Sequence, residues 1–373
     1  MVNFLHKNFY KILNESVEPG GKIKDCIRRA CFEVLNNYKN KYIFIEMHLT
    51  NICNLKCKNC YCQLEDKSSL EKAEIFSFLE QLKKLRYKNL NFHILGGEPL
   101  LRSDLLEIIS YAKNRIKIKQ VLMFTNGTLI TDELAYKMKQ SGLDAAIVTL
   151  HSHRNEIHDS ITQYADSWNK AVSGIKSLIN AGIPTYSFTV LMSYNIGHLK
   201  QIEYFVKSLG AKTKYFPYIK QKEDDSLCIE NKEKFQQAIQ WIFNKSEKFK
   251  RKLLKIFLKR RKSCLAFVNV INIKSDGTVT PCPFLNLKLG NIKEEKIYSI
   301  LNRSYKNKEL LDFLSVPQEC KGCSLVGVCG GGCRAFRYNV YRDTKSKDCN
   351  CSGPYKERIS LEELGSYMPY LPT

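Results

Sequence analysis

Apolar residues along the chain follow two alternating periodicities, one typical of strands and one typical of helices. Six short runs rich in β-branched and aromatic residues predict strands at Tyr42–Leu49, Asn91–Leu95, Gln120–Phe124, Ala145–Leu150, Thr185–Leu191 and Lys212–Pro217. Segments with apolar residues at helical spacing lie between them, at about 67–86, 103–114, 131–141, 167–181 and 197–209. This alternation indicates parallel strands with crossover helices. Six units predict an α/β fold, a partial (β/α)6 barrel that resembles an incomplete TIM barrel.

The alternation stops after about residue 245. The basic segment Lys245–Lys262 has interleaved apolar residues and predicts a packed connecting helix. Phe267–Lys274 and Thr278–Pro281 then flank Ser275-Asp276-Gly277, which predicts a β-hairpin. The remaining chain has little periodicity and many cysteines. We therefore expect three parts: a helical extension at 1–41, a barrel at 42–245, and a connector with a small cysteine-rich domain at 246–373.

Charge and composition narrow the classes of partner. The formal net charge is +22, but the lysines are spread along the whole chain of 373 residues, which indicates a solvated basic surface. No aromatic-interleaved RNA-binding motif accompanies the charge, so a nucleic-acid partner is not expected. A basic nucleic-acid-binding protein with structural zinc is the alternative from a different class. No run of 18 apolar residues and no export signal is present, so we expect a cytoplasmic protein without a membrane partner.

Fifteen cysteines in such a chain favour metal or cluster ligation over disulfides. Cys53, Cys57 and Cys60 have the spacing C-x3-C-x2-C directly after the first predicted strand. Active-site loops of a parallel barrel collect at that carboxyl edge of the sheet. Three thiolates can hold three irons of a [4Fe–4S] cluster and leave the fourth iron open to a chelating small molecule. Structural zinc normally takes four ligands, which disfavours zinc here, and the nearby Cys62 is interpreted as a bystander.

Further motifs follow the next three predicted strands in order. They are Gly96-Gly97-Glu98-Pro99, Thr125-Asn126-Gly127 and Thr149-Leu150-His151-Ser152. Together with the cysteines, this series resembles the radical S-adenosylmethionine (SAM) superfamily, whose first cysteine motif holds a SAM-binding [4Fe–4S] cluster. The resemblance implies that Gly96, Gly97, Glu98 and Pro99 receive the amino group of SAM, and that Asn126, Thr149 and Tyr61 also contact the cofactor. The family's usual aromatic residue before the third cysteine is replaced here by Asn59, and Tyr61 follows that cysteine.

The C-terminal cysteines also follow a spacing rule. Cys264 is followed by Gly277 and Cys282, then by Cys320-x2-Cys323-x5-Cys329-x3-Cys333, and finally by Cys349 and Cys351. This pattern resembles the seven-cysteine SPASM domain, which binds two auxiliary [4Fe–4S] clusters. The resemblance implies one ligand set of Cys264, Cys282 and Cys333 and another of Cys320, Cys323, Cys329 and Cys349.

Three questions about these cysteines stay open at the level of the sequence. Spacing does not choose between Cys349 and Cys351 as the last ligand. The fourth ligand of the first auxiliary cluster is also open, with Cys228, a substrate thiolate, water or another side chain as candidates. Structural zinc at Cys320–Cys333 is the alternative to an iron–sulfur cluster.

The resemblance implies an enzyme that reductively cleaves SAM and uses the resulting 5′-deoxyadenosyl radical to remove a hydrogen atom from its substrate. The electron would come from a donor such as ferredoxin or flavodoxin. Relatives with a SPASM domain mostly act on peptides or proteins, so maturation of a ribosomal peptide, such as thioether or other crosslink formation, is the leading hypothesis. A small-molecule or cofactor precursor and a sulfatase-maturase-like activity are the alternatives. Pro283 replaces the Asp that sulfatase maturases carry after Cys282, which argues against the last. No catalytic acid or base is assigned.

Overall fold

A computed structural model describes most of the barrel and parts of the C-terminal region. The described residues are 42–62, 66–85, 89–219, 226–244, 266–267, 270–304, 306–324, 326–341, 343, 346–348, 351 and 353. The predicted helical extension at 1–41, the connector helix at 245–262, Cys264 and Cys349 lie outside these residues.

The strands of the described residues form one twisted, mostly parallel sheet. They are β1 (Tyr42–His48), β2 (Asn89–Leu95), β3 (Gln120–Thr125), β4 (Ala145–Thr149), β5 (Thr185–Leu191), β6 (Lys212–Pro217), β7 (Val270–Ile273), β8 (Thr278–Thr280) and β9 (Gly290–Asn291). Their order is β6-β5-β4-β3-β2-β1-β7-β8-β9, and only the β7–β8 and β8–β9 pairs are antiparallel. All six predicted barrel strands and the hairpin are confirmed, and β1 and β6 are not paired to each other, so the barrel is open.

Helices connect consecutive barrel strands as predicted. The described helices are α1 (Lys72–Lys84), α2 (Leu105–Ser110), α3 (Asp132–Gln140), α4 (Asn155–Thr162), α5 (Ser167–Asn180), α6 (Leu199–Ser208), α7 (Lys232–Asn244), α8 (Ile297–Ser304), α9 (Lys308–Leu314), α10 (Val326–Cys329) and α11 (Arg334–Tyr341). A π-helical turn at Tyr111–Arg115 continues α2. The prediction missed α4, which has few apolar residues and ends at Gln163 in the left-handed conformation instead of at a glycine. None of the described helices is both long and apolar enough to cross a bilayer.

The two faces of the barrel sheet pack differently. Alternate strand residues point to opposite faces, and those facing the helices, such as Ile45, Met47 and Phe92, belong to one large buried core. On the inner face, Leu122, Ala145 and Ile147 form a separate small cluster with partly buried aromatic side chains from β3 and β5. Central parallel strands are normally covered on both faces. The partial exposure of the inner aromatic residues therefore indicates that the described side chains do not fill the barrel interior.

The C-terminal hairpin belongs to the barrel sheet. Strand β7 pairs in parallel with β1, with Phe44 opposite Val270 and Met47 opposite Ile273. Because β7 runs parallel to β1, the turn that follows it lies at the same edge of the sheet as the loop after β1. There the hydroxyls of Ser68 and Ser275 are hydrogen bonded, with their oxygens 2.7 Å apart. The four-residue β7 is too short for its partner to be predicted from the sequence.

The loop after β1 is held against the turn after β2 by backbone hydrogen bonds. Gly97 N–H donates to the Thr50 carbonyl at 2.7 Å, and Glu98 N–H donates to the Ile52 carbonyl at 2.8 Å. A Cβ atom on Gly96 would lie 2.3 Å from the Thr50 oxygen, and one on Gly97 would lie 2.3 Å from the Ile52 oxygen. The glycine pair therefore permits the two loops to touch, whether or not it also approaches a ligand.

Replacing Gly97 by Ala should displace the cysteine loop. The added Cβ would overlap a backbone oxygen that cannot rotate away, and such overpacking costs about 1–3 kcal/mol. We expect a several-fold loss of iron bound after anaerobic reconstitution, with the far-ultraviolet circular dichroism of the barrel retained. Gly197→Ala is the control, because no atom lies within 4 Å of its added Cβ. Wild-type iron content in Gly97→Ala would contradict this role of the glycine.

Candidate metal and cofactor site

Cys53, Cys57 and Cys60 lie on the loop between β1 and α1, at the carboxyl edge of the sheet. The loop is fixed by local and distant hydrogen bonds. Cys60 N–H donates to the Cys57 carbonyl at 3.1 Å, and Lys58 N–H donates to the Ile161 carbonyl of α4 at 2.8 Å. The helix that the sequence did not predict thus supports the tip of the cysteine loop.

The three thiols interact electrostatically with one another. Burial raises the pKa of Cys53 to about 11. Burial also raises the pKa of Cys57 to about 12, and the neighbouring Cys60 and Cys53 add to that shift. Three thiolates this close are stable only beside a cation, because metal coordination deprotonates thiols that otherwise stay neutral. The donor set therefore fits an iron–sulfur cluster.

A single bound metal ion requires ligands that converge on one point. Within the described residues, no three His, Cys, Asp or Glu side chains are grouped so that they could hold one metal ion. Ligands of a [4Fe–4S] cluster each bind a different iron and do not need to converge on one point.

Cys62 contacts Cys60 rather than standing apart from it. Hydrogen bonding between the two side chains lowers the pKa of Cys60 and raises that of Cys62. The Cys62 thiol also donates to the Gly96 carbonyl at 3.4 Å, and its sulfur lies 3.9 Å from His48 Nδ1. The contact with Cys62 therefore favours the thiolate form of Cys60, while the role of Cys62 as a bystander to the cluster stays a prediction.

Glu98 links the second and third motifs. Its side chain is fully buried, and its carboxylate accepts hydrogen bonds from the Leu100 N–H, the Thr125 hydroxyl and the Asn126 N–H at 3.1, 2.8 and 2.8 Å. Burial raises the pKa of Glu98 to about 7 despite these three donors. The carboxylate therefore holds two loops together, a role that the sequence did not predict. Pro99 is buried directly after it, at the start of a short 3-10 turn.

Asn126 connects the third motif to the cysteine loop. Its Nδ2 donates to Asn54 Oδ1 at 2.8 Å, and Asn54 Nδ2 donates to Thr128 Oγ1 at 2.9 Å. A hydrogen bond from the Asn126 side chain also lowers the pKa of Cys53, opposing the larger effect of burial. The structure thus brings Cys53, Glu98 and Asn126 into one network.

The fourth motif lies at the carboxyl end of β4. Thr149 is the last residue of that strand and is partly exposed. His151 is buried, and within the described part of the chain neither of its ring nitrogens has a hydrogen-bond partner. Burial lowers the pKa of His151 to about 3, so its ring is neutral at pH 7. Its backbone N–H donates to His158 Nδ1 at 3.2 Å, which holds α4 against this motif.

Aromatic side chains line the interior of the barrel, and we name this set the aromatic collar. In order of contact it comprises Phe44, His93, Phe124, Phe188, Phe216, Phe284, Tyr61 and His48. Successive ring centroids lie 4.7–5.9 Å apart. The contacts begin and end on β1, so they run across the inner face of the sheet and return through the two cysteine-containing regions.

Two members of the aromatic collar come from segments next to cysteines. Tyr61 directly follows Cys60, and Phe284 lies two residues after Cys282; their ring centroids are 4.7 Å apart. Predicted as a cofactor residue, Tyr61 thus lies where the barrel meets the C-terminal region. The collar was not predicted from the sequence. Aromatic residues at alternate strand positions could have indicated it.

Charged groups also face the interior. Glu46 lies between Phe44 and His48 on β1, and its Oε1 is 3.8 Å from His93 Nδ1. Lys214 of β6 lies over the ring of Tyr186, with its Nζ 5.0 Å from the ring centroid. The interior therefore combines an apolar wall with polar groups at its two edges.

Three of the described C-terminal cysteines interact with Cys351. Its thiolate interacts electrostatically with those of Cys320, Cys323 and Cys329. Gly332 N–H donates to Cys329 Sγ at 3.1 Å, and burial raises the pKa of Cys329 to about 12. Cys351 therefore occupies the neighbourhood in which the sequence expected Cys349.

Cys282 and Cys333 are the other described candidates from the C-terminal motif. Cys282 and Cys333 are partly buried and pack against the main core. Cys228, the suggested extra ligand, packs instead with Ile161, Met192 and Leu227 beside α4.

Two family models match the chain. The radical SAM superfamily model matches residues 47–205, which include Cys53, Cys57 and Cys60. The SPASM model, an iron–sulfur cluster-binding domain, matches residues 264–324. Both matches agree with the cysteine patterns.

The curated relatives have several activities. A probable GTP 3′,8-cyclase of Sulfurisphaera tokodaii is 38% identical over 168 residues, which are 44% of this chain and 52% of that protein. The chain thus spans about half the length of that relative. An AdoMet-dependent heme synthase of Methanosarcina barkeri is 25% identical over 346 residues, covering 82% of this chain and 95% of that protein.

Solved structures share the fold. The structure of anSMEcpe with bound AdoMet superposes with a TM-score of 0.70 at 19% identity and covers 87% of this chain and 96% of its own. Streptococcus suis SuiB, solved with its precursor peptide SuiA, gives a TM-score of 0.66 at 14% identity and covers 96% of this chain and 87% of its own. The predicted fold class, an α/β partial barrel with a C-terminal cysteine-rich domain, is confirmed.

These matches also identify the cofactors. The first domain implies a [4Fe–4S] cluster that binds SAM, and the second implies auxiliary iron–sulfur clusters. With three thiols on the loop after β1 and a second thiol group around Cys351, the chain carries a radical SAM domain at residues 47–205 and a SPASM domain that begins at residue 264.

Proposed function

We propose that this protein is a radical SAM maturase that modifies a side chain of a peptide or protein. The observation that carries the proposal is the aromatic collar, in which Tyr61 beside Cys60 contacts Phe284 beside Cys282. A side chain inserted there would lie beside both cofactor regions while the polar peptide backbone stays outside. Apolar walls with a few polar groups are typical of sites that orient a ligand.

Named residues would hold the cofactors. Cys53, Cys57 and Cys60 would bind the cluster, and the backbone of Gly96–Pro99 would receive the amino group of SAM. Asn126, Thr149 and Tyr61 would contact the rest of SAM. When bound, the cluster and SAM supply a 5′-deoxyadenosyl radical, which is the cofactors' own chemistry. The protein's contribution is to orient the target carbon and to exclude water.

Two kinds of similarity bear on the substrate. SuiB shares this fold and was solved with a precursor peptide, which supports a peptide substrate. The match to a heme synthase along 82% of this chain favours a second candidate, a small cofactor precursor with a flat ring that could lie against the aromatic collar. An electron donor such as ferredoxin or flavodoxin is part of the proposal in both cases.

Radical SAM chemistry should be visible without the natural substrate. Anaerobic reconstitution followed by dithionite and SAM should yield 5′-deoxyadenosine, measured by liquid chromatography. Replacing Cys53, Cys57 and Cys60 together by Ala should abolish it, because the cluster would lose its ligands. Cys228→Ala, in an apolar cluster beside α4, is the control and should retain it. No 5′-deoxyadenosine from wild-type protein with full iron content would refute the proposed chemistry.

The aromatic collar should govern substrate turnover more than SAM cleavage. Phe188→Ala removes a central ring, and a misplaced reacting carbon can lower the rate by up to about 100-fold. We expect modification of a peptide encoded beside the gene, measured by mass spectrometry, to fall while 5′-deoxyadenosine formation without peptide is unchanged. Phe205→Ala is the control, because Phe205 stacks on Trp168 outside the collar.

The choice of substrate class is tested in the same assay. Offering an iron porphyrin in place of the peptide distinguishes the two candidates. Turnover of the porphyrin with no peptide modified would reject the peptide proposal and leave the radical chemistry intact.

Cys351 should be the last ligand of its auxiliary cluster, since its thiolate interacts with those of Cys320, Cys323 and Cys329. Cys351→Ser should lower the reconstituted iron content by about four atoms per chain, the content of one [4Fe–4S] cluster. Cys349→Ser is the matched variant and should keep full iron. The reverse pattern in the iron analysis would assign the ligand to Cys349.

A further inference from the structure

Two arginines are fully buried beside the C-terminal cysteines. Arg334 and Arg337 are only 2% and 0% exposed and lie on α11, which starts directly after Cys333. An arginine cannot lose its proton in a protein, so both side chains carry their charge into the interior. Removing such charges from water costs several kcal/mol each unless counter-charges and hydrogen bonds compensate.

For Arg334, the described residues supply only part of that compensation. Arg334 Nη2 donates to the Leu314 carbonyl at 3.0 Å, and Arg337 Nη1 donates to the Ser346 carbonyl at 2.9 Å. Within the described part of the chain, Arg334 Nε and Nη1 have no hydrogen-bond partner. These N–H groups indicate that a negatively charged group belongs in this region.

Among the described residues, the negative groups that act on Arg337 include the carboxylate of Asp348 and the thiols of Cys320 and Cys333. Asp348 is 1% exposed, and its Oδ2 accepts a hydrogen bond from Cys333 N–H at 2.9 Å. Arg337 is attracted electrostatically by Asp348, Cys320 and Cys333. The like charge of Arg334 repels it. Asp348 is therefore a described carboxylate that interacts with Arg337, while Arg334 adds a second buried positive charge. The thiols balance the second charge only when they are thiolates, which is their state when they bind iron.

We infer that Arg334 and Arg337 are the counter-charges of the auxiliary iron–sulfur clusters, and that they raise the reduction potential of these clusters. Reduction adds one negative charge to a cluster, and a buried positive charge nearby stabilises that reduced state. Net charge and hydrogen bonding around the cluster are known determinants of its potential. Arg337, which interacts with one cysteine from each predicted ligand set, is suited to act on both clusters.

This inference requires C-terminal cysteines that bind clusters, but it does not depend on the substrate. The test uses the full-length chain with Cys53, Cys57 and Cys60 replaced by Ala, so that only auxiliary clusters contribute to the signal. Reduction is followed by electron paramagnetic resonance during an electrochemical titration, and iron is measured in each sample.

Two substitutions separate charge from shape. Arg337→Met keeps a long apolar stem without the charge, whereas Arg337→Lys keeps the charge. We expect the Met variant to favour the oxidised state at least tenfold, which lowers a one-electron potential by about 59 mV. The Lys variant should lie between it and the parent. Arg303→Met, at an arginine that pairs with Glu295 at the surface, should not shift the potential.

Iron content makes each outcome decisive. Loss of iron in Arg337→Met but not in Arg337→Lys supports the counter-charge role, because charge rather than shape is then needed for assembly. A Met variant with full iron and an unshifted potential overturns the inference. Equal loss of iron in both variants also overturns it, since the guanidinium would then serve packing. Formation of 5′-deoxyadenosine by protein with intact barrel cysteines, measured separately, tests the barrel chemistry independently.

Discussion

The backbone contact between the cysteine loop and the glycine turn is the constraint on which the site depends. Two hydrogen bonds, from Gly97 to Thr50 and from Glu98 to Ile52, fix the loop after β1 against the turn after β2. The Glu98 carboxylate then fixes the third motif, because it accepts hydrogen bonds from Thr125 and Asn126. The carboxyl ends of three parallel strands are thereby joined by short, buried hydrogen bonds. Such satisfied networks are rigid, and rigidity is what positioning of a reactive cofactor requires.

The two faces of the barrel sheet have different roles. Its outer face packs against helices in a large aliphatic core that stabilises the barrel. Its inner face carries most of the aromatic collar, and Phe124 and Phe188 there stay only partly buried. Exposed apolar area forgoes stabilisation of about 25 cal/mol per Å². An apolar wall that the described residues leave partly uncovered is therefore better explained by a ligand than by stability.

Much of the fold was predictable because the sequence alternates two periodicities with little ambiguity. The strands at Thr185–Leu191 and Lys212–Pro217 were predicted at their observed limits. The errors arose where local pattern is weak: α4 has few apolar residues, and the pairing of β7 with β1 joins residues more than 200 positions apart. Within the site, residue types indicated which side chains matter, but not the contacts of Glu98 or the collar. Most of those contacts join residues that are far apart in the sequence, so the spacing of the motifs does not predict them.

The buried charged groups beside the barrel cysteines and beside the C-terminal cysteines have opposite signs. Beside the barrel cysteines lies a buried carboxylate, Glu98, whose negative charge adds to the rise in the pKa of Cys53. Beside the C-terminal cysteines lie two buried guanidinium groups, Arg334 and Arg337. A negative neighbour disfavours adding an electron, whereas a positive neighbour favours it. The two guanidinium groups would thus favour a higher potential in the C-terminal domain, whereas Glu98, whose pKa is about 7, carries only a partial negative charge beside the barrel cysteines at neutral pH. The aromatic collar links the barrel cysteine loop to the segment after Cys282, because Tyr61 and Phe284 contact each other.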